Sequence, residues 1–413
     1  MTEEPHSEPP ERWRQLLILS AAVLLSLATW FSGAAVAPTL SADWQLQAFD
    51  VASLTVAVQL GFAAGALGLA ALGIPDVVPA RILIPVGAAV TTLANAAFAL
   101  LSDDLLSALP FRFLAGAGIA AVYPVGMKVL AGWFRRERGL AVGTLIGAIT
   151  IGSALPHLLR AGGVALELDW RAVVLSASVA SGLGGLIAAF GVREGPFVAP
   201  ATRFSPAVAR AALREASVRL ANLGYLGHMW ELFAMWSWIP AFLTASLAAA
   251  GASDPALGSL GAFVVVAAGG LGCVVAGALA DRLGRTTLTI AAMALSGSTA
   301  ILTGLLFGAP PVLVLAVAVV WGVTVVADSA QFSTAVSELA PRGTAGSALT
   351  LQTAAGFALT AATIWGVSAL NPTDGTGWRV AFAVLALGPL VGIFAMLRLR
   401  SRPEAVHMAG GRR

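Results

Sequence analysis

Three polar side chains recur at intervals of three residues inside one long apolar stretch of the sequence. Tyr225, His228 and Glu231 lie within residues 218–246, which are otherwise mostly apolar. Because a helix rises about 1.5 Å per residue, Glu231 is predicted about 20 Å along this stretch, near the middle of a ~30 Å hydrocarbon core. Residues three apart share a helix face. We therefore expect the three side chains to hydrogen-bond in sequence.

These side chains suit the uptake and release of protons. Burial disfavours the charged form of a carboxyl group, and an imidazole titrates close to neutral pH. A charge at the bilayer centre costs about 2.5–3.5 kcal/mol on insertion scales, so such groups should face the protein interior or a wet cavity. Glu231 and His228 are our first candidates for proton coupling. The alternative is a neutral hydrogen-bonded pair that only ties this helix to a neighbour.

Other polar residues occur at membrane depth in other apolar stretches. Asp328 is predicted to be a second protonation or substrate site, together with Gln331, or to pair with an arginine at the cytoplasmic end. Arg112 either holds an anion or neighbours a titrating carboxylate, or it forms a structural hydrogen-bonding hub. Tyr123 is expected to line a cavity. Three further residues fit a cavity lining, although each alone is compatible with simple packing: Trp30, Gln59 and Gln352.

The composition requires a membrane environment for most of the chain. Of the 413 residues, 58% are hydrophobic and 11% are charged, whereas a soluble domain carries about 25% charged residues. A spanning helix needs about 20 apolar residues, and twelve such helices fill the sequence. The predicted spans are 16–38, 48–72, 80–101, 105–132, 139–160, 171–192, 218–246, 257–280, 286–307, 311–337, 346–370 and 378–398.

The basic residues indicate how these spans are oriented. With the N-terminus inside, 20 of the 24 lysines and arginines fall in cytoplasmic segments, as the positive-inside rule requires. Both termini are therefore predicted to be cytoplasmic, and we expect a multi-pass protein of the bacterial inner membrane. Because the basic residues follow one membrane face, they do not indicate a nucleic-acid partner.

The sequence offers no pattern that would favour an enzyme. It contains no metal-ligand cluster, nucleophile motif or phosphate-binding loop, so we expect no cofactor and no metal. Its single cysteine, Cys273, excludes an intramolecular disulfide and is interpreted as a small packing residue.

The chain divides into two similar halves. A proline- and arginine-rich segment separates six spans from six, and Asp169-Trp170-Arg171 before the sixth span is echoed by Gly377-Trp378-Arg379 before the twelfth. Internal repeats of this kind are typical of transporters, whose substrate site lies between the repeats. The predicted units are a disordered cytoplasmic tail (1–15), an N-terminal six-helix bundle (16–192), a cytoplasmic linker (193–217), a C-terminal six-helix bundle (218–398) and a cytoplasmic tail (399–413).

The motifs resemble those of the major facilitator superfamily. Residues 277–285, which read GALADRLGR, match the family's loop signature between helices 8 and 9. Between helices 2 and 3 the signature is degraded, because Asp76 and Arg81 remain but Val77 replaces a basic residue. Residues 112–118 resemble the family's fourth-helix motif. The resemblance implies an all-α membrane fold of twelve transmembrane helices in two six-helix pseudo-repeats.

The resemblance also implies a gate at the cytoplasmic side. In the family, the loop signature holds one half against the other when that side is closed, through carboxylates beside arginines. The alternative is that these arginines only follow the positive-inside bias. The residues that match the family's gate are Asp76, Arg81, Asp281, Arg282 and Arg285.

The glycines of the fifth span favour packing over the family's antiporter motif. Gly139, Gly143 and Gly147 recur every four residues, which allows close helix approach. The antiporter motif has a Gly-Pro pair, but here Ala148 follows Gly147, and the nearest proline is Pro156.

Taken together, these features predict a secondary transporter that moves a small solute by alternating access and is coupled to protons. The resemblance covers residues 16–398, and the expected partners are a small-molecule substrate, protons and lipid, with the chain acting as a monomer. The alternatives are a multidrug or organic-cation exporter, a nitrate-like inorganic-anion carrier and a non-transporting membrane sensor on the same fold.

Overall fold

The computed structural model describes residues 9–197, 204–341 and 343–412, apart from the side chain of Asp281. Within these residues, twelve helical spans are long and apolar enough to cross a membrane, which confirms the predicted all-helical fold. Spans 1 to 6 are Glu11–Trp44, Ala48–Leu72, Ala80–Leu101, Leu105–Trp133, Arg138–Ala165 and Trp170–Gly191. Spans 7 to 12 are Ala216–Ala249, Pro255–Leu283, Arg285–Leu305, Pro311–Leu339, Ala345–Leu370 and Gly375–Arg400.

The segments that flank the spans are more ordered than the sequence suggested. Span 1 begins at Glu11, inside the segment expected to be a disordered tail. The linker contains a short helix, Pro206–Ala212, and residues 198–203 lie outside the described residues. After span 12 the chain forms two short turns in which Ala405 and Met408 are fully buried.

Acidic residues begin several spans at one face of the bundle. Asp104 accepts a hydrogen bond from the Ser107 backbone N–H at the start of span 4. Asp254 and Asp374 accept equivalent backbone N–H bonds at the starts of spans 8 and 12. The first N–H groups of a helix lack intrahelical partners, and a carboxylate there also meets the positive end of the helix dipole. The acidic loops are thus explained by helix capping.

Four of the spans are interrupted near their middle, span 12 at Ala386. Span 4 breaks after Ile119 and resumes at Tyr123, and Pro124 explains this break because its ring clashes with the carbonyl four residues earlier. Span 1 contains a 3₁₀ turn at Leu27–Thr29, and span 10 breaks at Asp328. Irregular backbone at membrane depth is tolerated where protein or a cavity satisfies its polar groups.

The two halves contact each other most closely where spans 5 and 8 cross. A Cβ atom added to Gly143 would overlap the carbonyl oxygen of Cys273, and one added to Gly147 would lie 2.8 Å from that of Gly270. The predicted packing role of these glycines is therefore seen at the interface between the halves. On the other side of the molecule, spans 2 and 11 meet through a hydrogen bond from Trp365 Nε1 to Ser53 Oγ of 3.0 Å.

The glycine contact between spans 5 and 8 gives a first prediction. Gly143→Leu should force the two spans apart and destabilise the protein by about 1–3 kcal/mol, as overpacking does in cores. The matched control is Gly162→Leu in the same span, because an added Cβ there meets nothing within 4 Å. Thermal unfolding of the purified proteins measures both effects. Equal losses in the two variants would contradict the interpretation.

Candidate functional site

An aromatic cluster joins the two halves at the centre of the molecule. Trp30 of span 1 stacks on Phe233 of span 7 at 5.5 Å between ring centroids. Phe62 of span 2 packs on Phe357 of span 11 at 4.2 Å, and Trp236 packs edge-on against Phe233 at 5.4 Å. At this point the two halves thus meet through side-chain rings.

A small cavity of about 50 Å³ lies beside this cluster. Typical small-molecule pockets measure about 300–1,000 Å³, so an organic solute can enter only if the halves separate. Tyr123 of span 4 and Tyr225 of span 7, the two tyrosines of the chain, both line it. Trp30, one of the residues proposed for a cavity lining, also lines it.

Larger vestibules lie on either side of the central cavity. One of about 270 Å³ lies towards the ends of spans 2 and 4 and is lined by Leu69 and Met127. The other, of about 240 Å³, lies at the opposite face and is lined by Pro38 and Pro240. The central cavity lies between these two vestibules and shares Tyr123, Ser333 and Thr353 with the first of them.

Glu231 is held at the middle of span 7 by two neighbouring spans. It is 2% exposed, and its carboxylate accepts hydrogen bonds from Ser296 Oγ of span 9 at 2.7 Å and from Trp321 Nε1 of span 10 at 2.8 Å. One carboxylate thereby ties together three spans of the C-terminal half. A buried carboxyl group without a cationic partner is held in place only through such hydrogen bonds.

His228 pairs with Asp328, and not with Glu231 as the spacing suggested. The His228 Nδ1 atom lies 2.9 Å from Asp328 Oδ1, and both side chains are almost fully buried. Asp328 occupies the break in span 10. One alternative for Asp328 was a pair with an arginine. In the structure its carboxylate lies against His228 instead. The pair gives the C-terminal half a second titratable centre, one helical turn from Glu231 along span 7.

These three groups lie beside the central cavity but do not line it. Five residues of span 7 face the cavity. Each residue of a helix is rotated by about 100° from the one before it. Relative to the mean direction of the five, Glu231 therefore points about 140° away and His228 about 80° away. Val326 and Ser329 line the cavity on either side of Asp328, whose carboxylate turns to His228. The five cavity-facing residues are Tyr225, Met229, Leu232, Phe233 and Trp236.

Arg112 is a fully buried hub within the N-terminal half. Its guanidinium donates hydrogen bonds to the backbone oxygens of Trp30 at 2.7 Å and Thr29 at 3.2 Å, which the break in span 1 leaves free. It also donates to Ser32 Oγ and to Asn95 Oδ1, both at 2.9 Å. Its bonds to described residues all go to neutral acceptors. This geometry fits the structural alternative and offers no carboxylate beside it.

Gln331 and Arg285 belong to a separate cluster near the end of span 10. The Arg285 guanidinium donates two hydrogen bonds of 2.7 Å to the carboxylate of Glu338 and one of 2.9 Å to Gln331 Oε1. Glu338 also accepts the backbone N–H of Ala409 at 3.3 Å. Gln331 therefore contacts a predicted gate residue and does not line the central cavity.

The corresponding cluster of the N-terminal half uses a lysine. Asp76 pairs with Lys128 of span 4 at 2.9 Å, while Arg81 and Arg282 are exposed. The side chain of Asp281 lies outside the described residues. The ion pairs that are described thus fall within one half each, so the expected clamp across the halves is not made by them.

The two remaining predicted residues are buried amides. Gln352 accepts a hydrogen bond from Ser333 Oγ at 3.3 Å, and Ser333 lines the central cavity. Gln59 is fully buried in span 2 away from the cavity lining. Among the residues that the structure describes, no group of three or more His, Cys, Asp or Glu side chains could hold a metal ion.

Sequence reasoning missed the residues that complete the site. Ser296 gave no signal, because serine is common in membrane helices. Trp236 and Phe357 are two of many aromatic residues in the sequence, so residue type did not identify them. The one available signal was helical spacing, since Trp236 lies three residues after Phe233 and Phe357 lies four residues after Thr353.

Comparison with known proteins agrees with this architecture. The chain matches no curated protein sequence at a significant level. Among solved structures, a D-xylose–proton symporter aligns with a TM-score of 0.73 at 16% identity, covering 95% of this chain and 98% of its own. The xylose transporter XylE from E. coli, in a partially occluded inward-open conformation, aligns with a TM-score of 0.70 at 15% identity, covering 94% and 98%.

A further solved structure is the proton:xylose symporter XylE bound to 6-bromo-6-deoxy-D-glucose. It aligns with a TM-score of 0.68 at 14% identity, covering 94% of this chain and 96% of its own. At these identities the likeness shows the fold. The model of the Major Facilitator Superfamily matches residues 18–364, and this chain, a multi-pass integral membrane protein, therefore belongs to that superfamily.

Proposed function

We propose that this chain is a proton-coupled secondary transporter that moves a small solute by alternating access. One observation carries the proposal: Glu231 and the His228–Asp328 pair are buried at mid-membrane, directly behind the wall of the cavity between the halves. Ionisable groups at this depth are costly and mark ion or substrate pathways. The proton-symporter description of the solved structures with this fold supports the same reading.

The geometry supplies a way for a proton to change the packing of the C-terminal half. As a carboxylate, Glu231 accepts from both Ser296 and Trp321. When a proton binds, one oxygen becomes a donor and a weaker acceptor; the Ser296 hydroxyl can reverse and accept from it, whereas the Trp321 indole can only donate. Protonation therefore changes the hydrogen bonds that link span 7 to spans 9 and 10, and release of the proton restores them.

The His228–Asp328 pair places a second proton-sensitive contact at the break in span 10. With His228 protonated and Asp328 ionised, the two side chains attract as an ion pair, whereas a neutral imidazole could offer Asp328 only a hydrogen bond. The break gives span 10 a point at which it can bend without losing many helical hydrogen bonds. Span 10 also lines the cavity, so the state of this pair bears directly on the cavity wall.

The remaining features fit a transporter of the bacterial inner membrane with both termini in the cytoplasm. The excess of arginine on one face supports this orientation. On that face the Arg285–Glu338 and Asp76–Lys128 contacts fix the ends of spans within each half. We propose that Asp76, Arg81, Asp281, Arg282 and Arg285 form the cytoplasmic gate through contacts between the halves other than these ion pairs. A single chain contains the whole cavity, which supports a monomer as the working unit.

Removal of the proton-binding oxygen of Glu231 should uncouple transport. In reconstituted vesicles, sugars, organic cations and neutral aromatic solutes are screened for accumulation driven by an imposed pH gradient. For a solute that accumulates, Glu231→Gln should reduce its level to equal concentrations inside and outside, because the amide cannot exchange a proton. Accumulation that survives in Glu231→Gln sinks the coupling proposal, as does the absence of any gradient-driven solute. Glu167→Gln, at an exposed loop position, is the matched control.

The His228–Asp328 pair predicts non-additive effects on stability. His228→Gln or Asp328→Asn alone removes one partner of a buried pair, which costs about 3–5 kcal/mol. The double variant should cost less than the sum by about 0.5–3 kcal/mol. The exposed pair Arg171–Asp103, at 3.2 Å, provides the control cycle, with an expected coupling of about 0.2–1 kcal/mol. Additive losses in the buried cycle, measured by chemical unfolding, would show that the pair does not interact.

A further inference from the structure

The wall of the central cavity carries no full charge among the described residues. Its ionisable lining groups are the phenols of Tyr123 and Tyr225, which are neutral at physiological pH. Glu231 points away from the cavity, Asp328 turns to His228, and Arg112 is enclosed by neutral acceptors of its own half. A charged solute would lose its hydration without meeting a counter-charge.

Two buried indole N–H groups at this cavity lack a hydrogen-bond partner among the residues that the structure describes. They belong to Trp30 of span 1 and Trp236 of span 7, which are 1% and 2% exposed. Both side chains line the cavity, one from each half, as does Ser153, whose hydroxyl is also buried and unpartnered. Buried polar groups are nearly always paired in proteins. The unmatched donors therefore indicate that the natural occupant supplies acceptors.

The aromatic rings around the cavity define the shape of that occupant. Trp30 and Phe62 from the N-terminal half face Phe233 and Phe357 from the C-terminal half, with centroid distances from 4.2 to 5.7 Å. When the halves separate, these facing rings part and expose their apolar faces. A flat ring inserted between them would restore the lost ring contacts.

We infer that the central cavity binds an uncharged, flat, ring-containing solute that carries at least two hydrogen-bond acceptors and bridges Trp30 and Trp236. This inference rests on the proposed transport function and specifies its substrate class. A sugar fits the shape less well, because its puckered ring has no flat π-face to insert between the facing aromatic rings. An organic cation would gain from the aromatic faces but would meet two N–H donors of the same polarity.

The inference is tested by ligand binding to the full-length protein in lipid nanodiscs. Coumarin, a flat neutral lactone with two acceptor oxygens, is titrated calorimetrically beside 1-methylquinolinium, 2-naphthoate and D-xylose. Coumarin should bind most tightly. Trp30→Phe and Trp236→Phe keep the rings but remove the N–H donors, so each should weaken coumarin binding about 2- to 10-fold.

The matched control is Trp378→Phe. The Trp378 indole N–H is also buried and unpartnered, but it lies outside the cavity lining, against Phe242 and Phe382. This variant should bind coumarin as the unmodified protein does. If Trp30→Phe does not fold, as judged by gel filtration, Trp236→Phe alone decides the test.

The outcomes separate the substrate class from the transport function. Tighter binding of 1-methylquinolinium, 2-naphthoate or D-xylose overturns the inference, as does coumarin binding that ignores both tryptophan substitutions. If D-xylose accumulates under a pH gradient while coumarin does not bind, transport stands and the substrate class is wrong. If coumarin binds as expected but no solute follows a pH gradient, the site stands and proton coupling fails.

Discussion

The structure depends on one constraint: in hydrocarbon, a polar group must find its partner inside the protein. The consequence is clearest where spans are broken. The turn in span 1 frees the carbonyls of Thr29 and Trp30, and the guanidinium of Arg112 binds both. An unpaired carbonyl at this depth would cost several kcal/mol. The arginine and the irregular backbone therefore stabilise each other, and neither would be tolerated alone.

The two halves satisfy this constraint with different chemistry. The N-terminal half centres on Arg112 and Asn95, whose partners are hydroxyls and carbonyls. The C-terminal half uses Glu231, His228 and Asp328, groups whose hydrogen bonds change when a proton binds. A network of neutral acceptors keeps its geometry over a wide pH range, whereas a network of titratable groups does not. The pseudo-symmetric fold thus carries an asymmetric distribution of responsive groups.

The number and approximate position of the spans could be predicted from the sequence because hydrophobicity over about 20 residues is a strong signal. The directions of side chains could not. In a soluble helix, polar residues mark the outer face, but here side chains such as Leu93 and Phe190 face lipid and are as apolar as the core. Without that contrast, the spacing of His228 and Glu231 could not show that they point to different neighbours.

Partners distant in sequence were equally hard to predict. His228 and Asp328 are joined only when spans 7 and 10 pack together, and Glu338 gave no sign that Arg285 would bind it. Between spans 2 and 3, the loop signature pointed to Arg81 beside Asp76, but Lys128 is the side chain that reaches Asp76. A loop motif therefore predicts that an acidic and a basic residue will pair. The packing of the spans decides which individual residues form the pair.

The Arg112 hub also affects the mechanics of the molecule. Through Arg112 and Asn95 it links spans 1, 2, 3, 4 and 6 by hydrogen bonds to Trp30, Leu54 and Val174, among others. We expect these cross-links to make the N-terminal bundle the stiffer of the two. If one half is stiffer than the other, conformational change should occur mainly in the more deformable half. We therefore expect the N-terminal half to serve as the stator of the cycle and span 10, hinged at Asp328, as its moving arm.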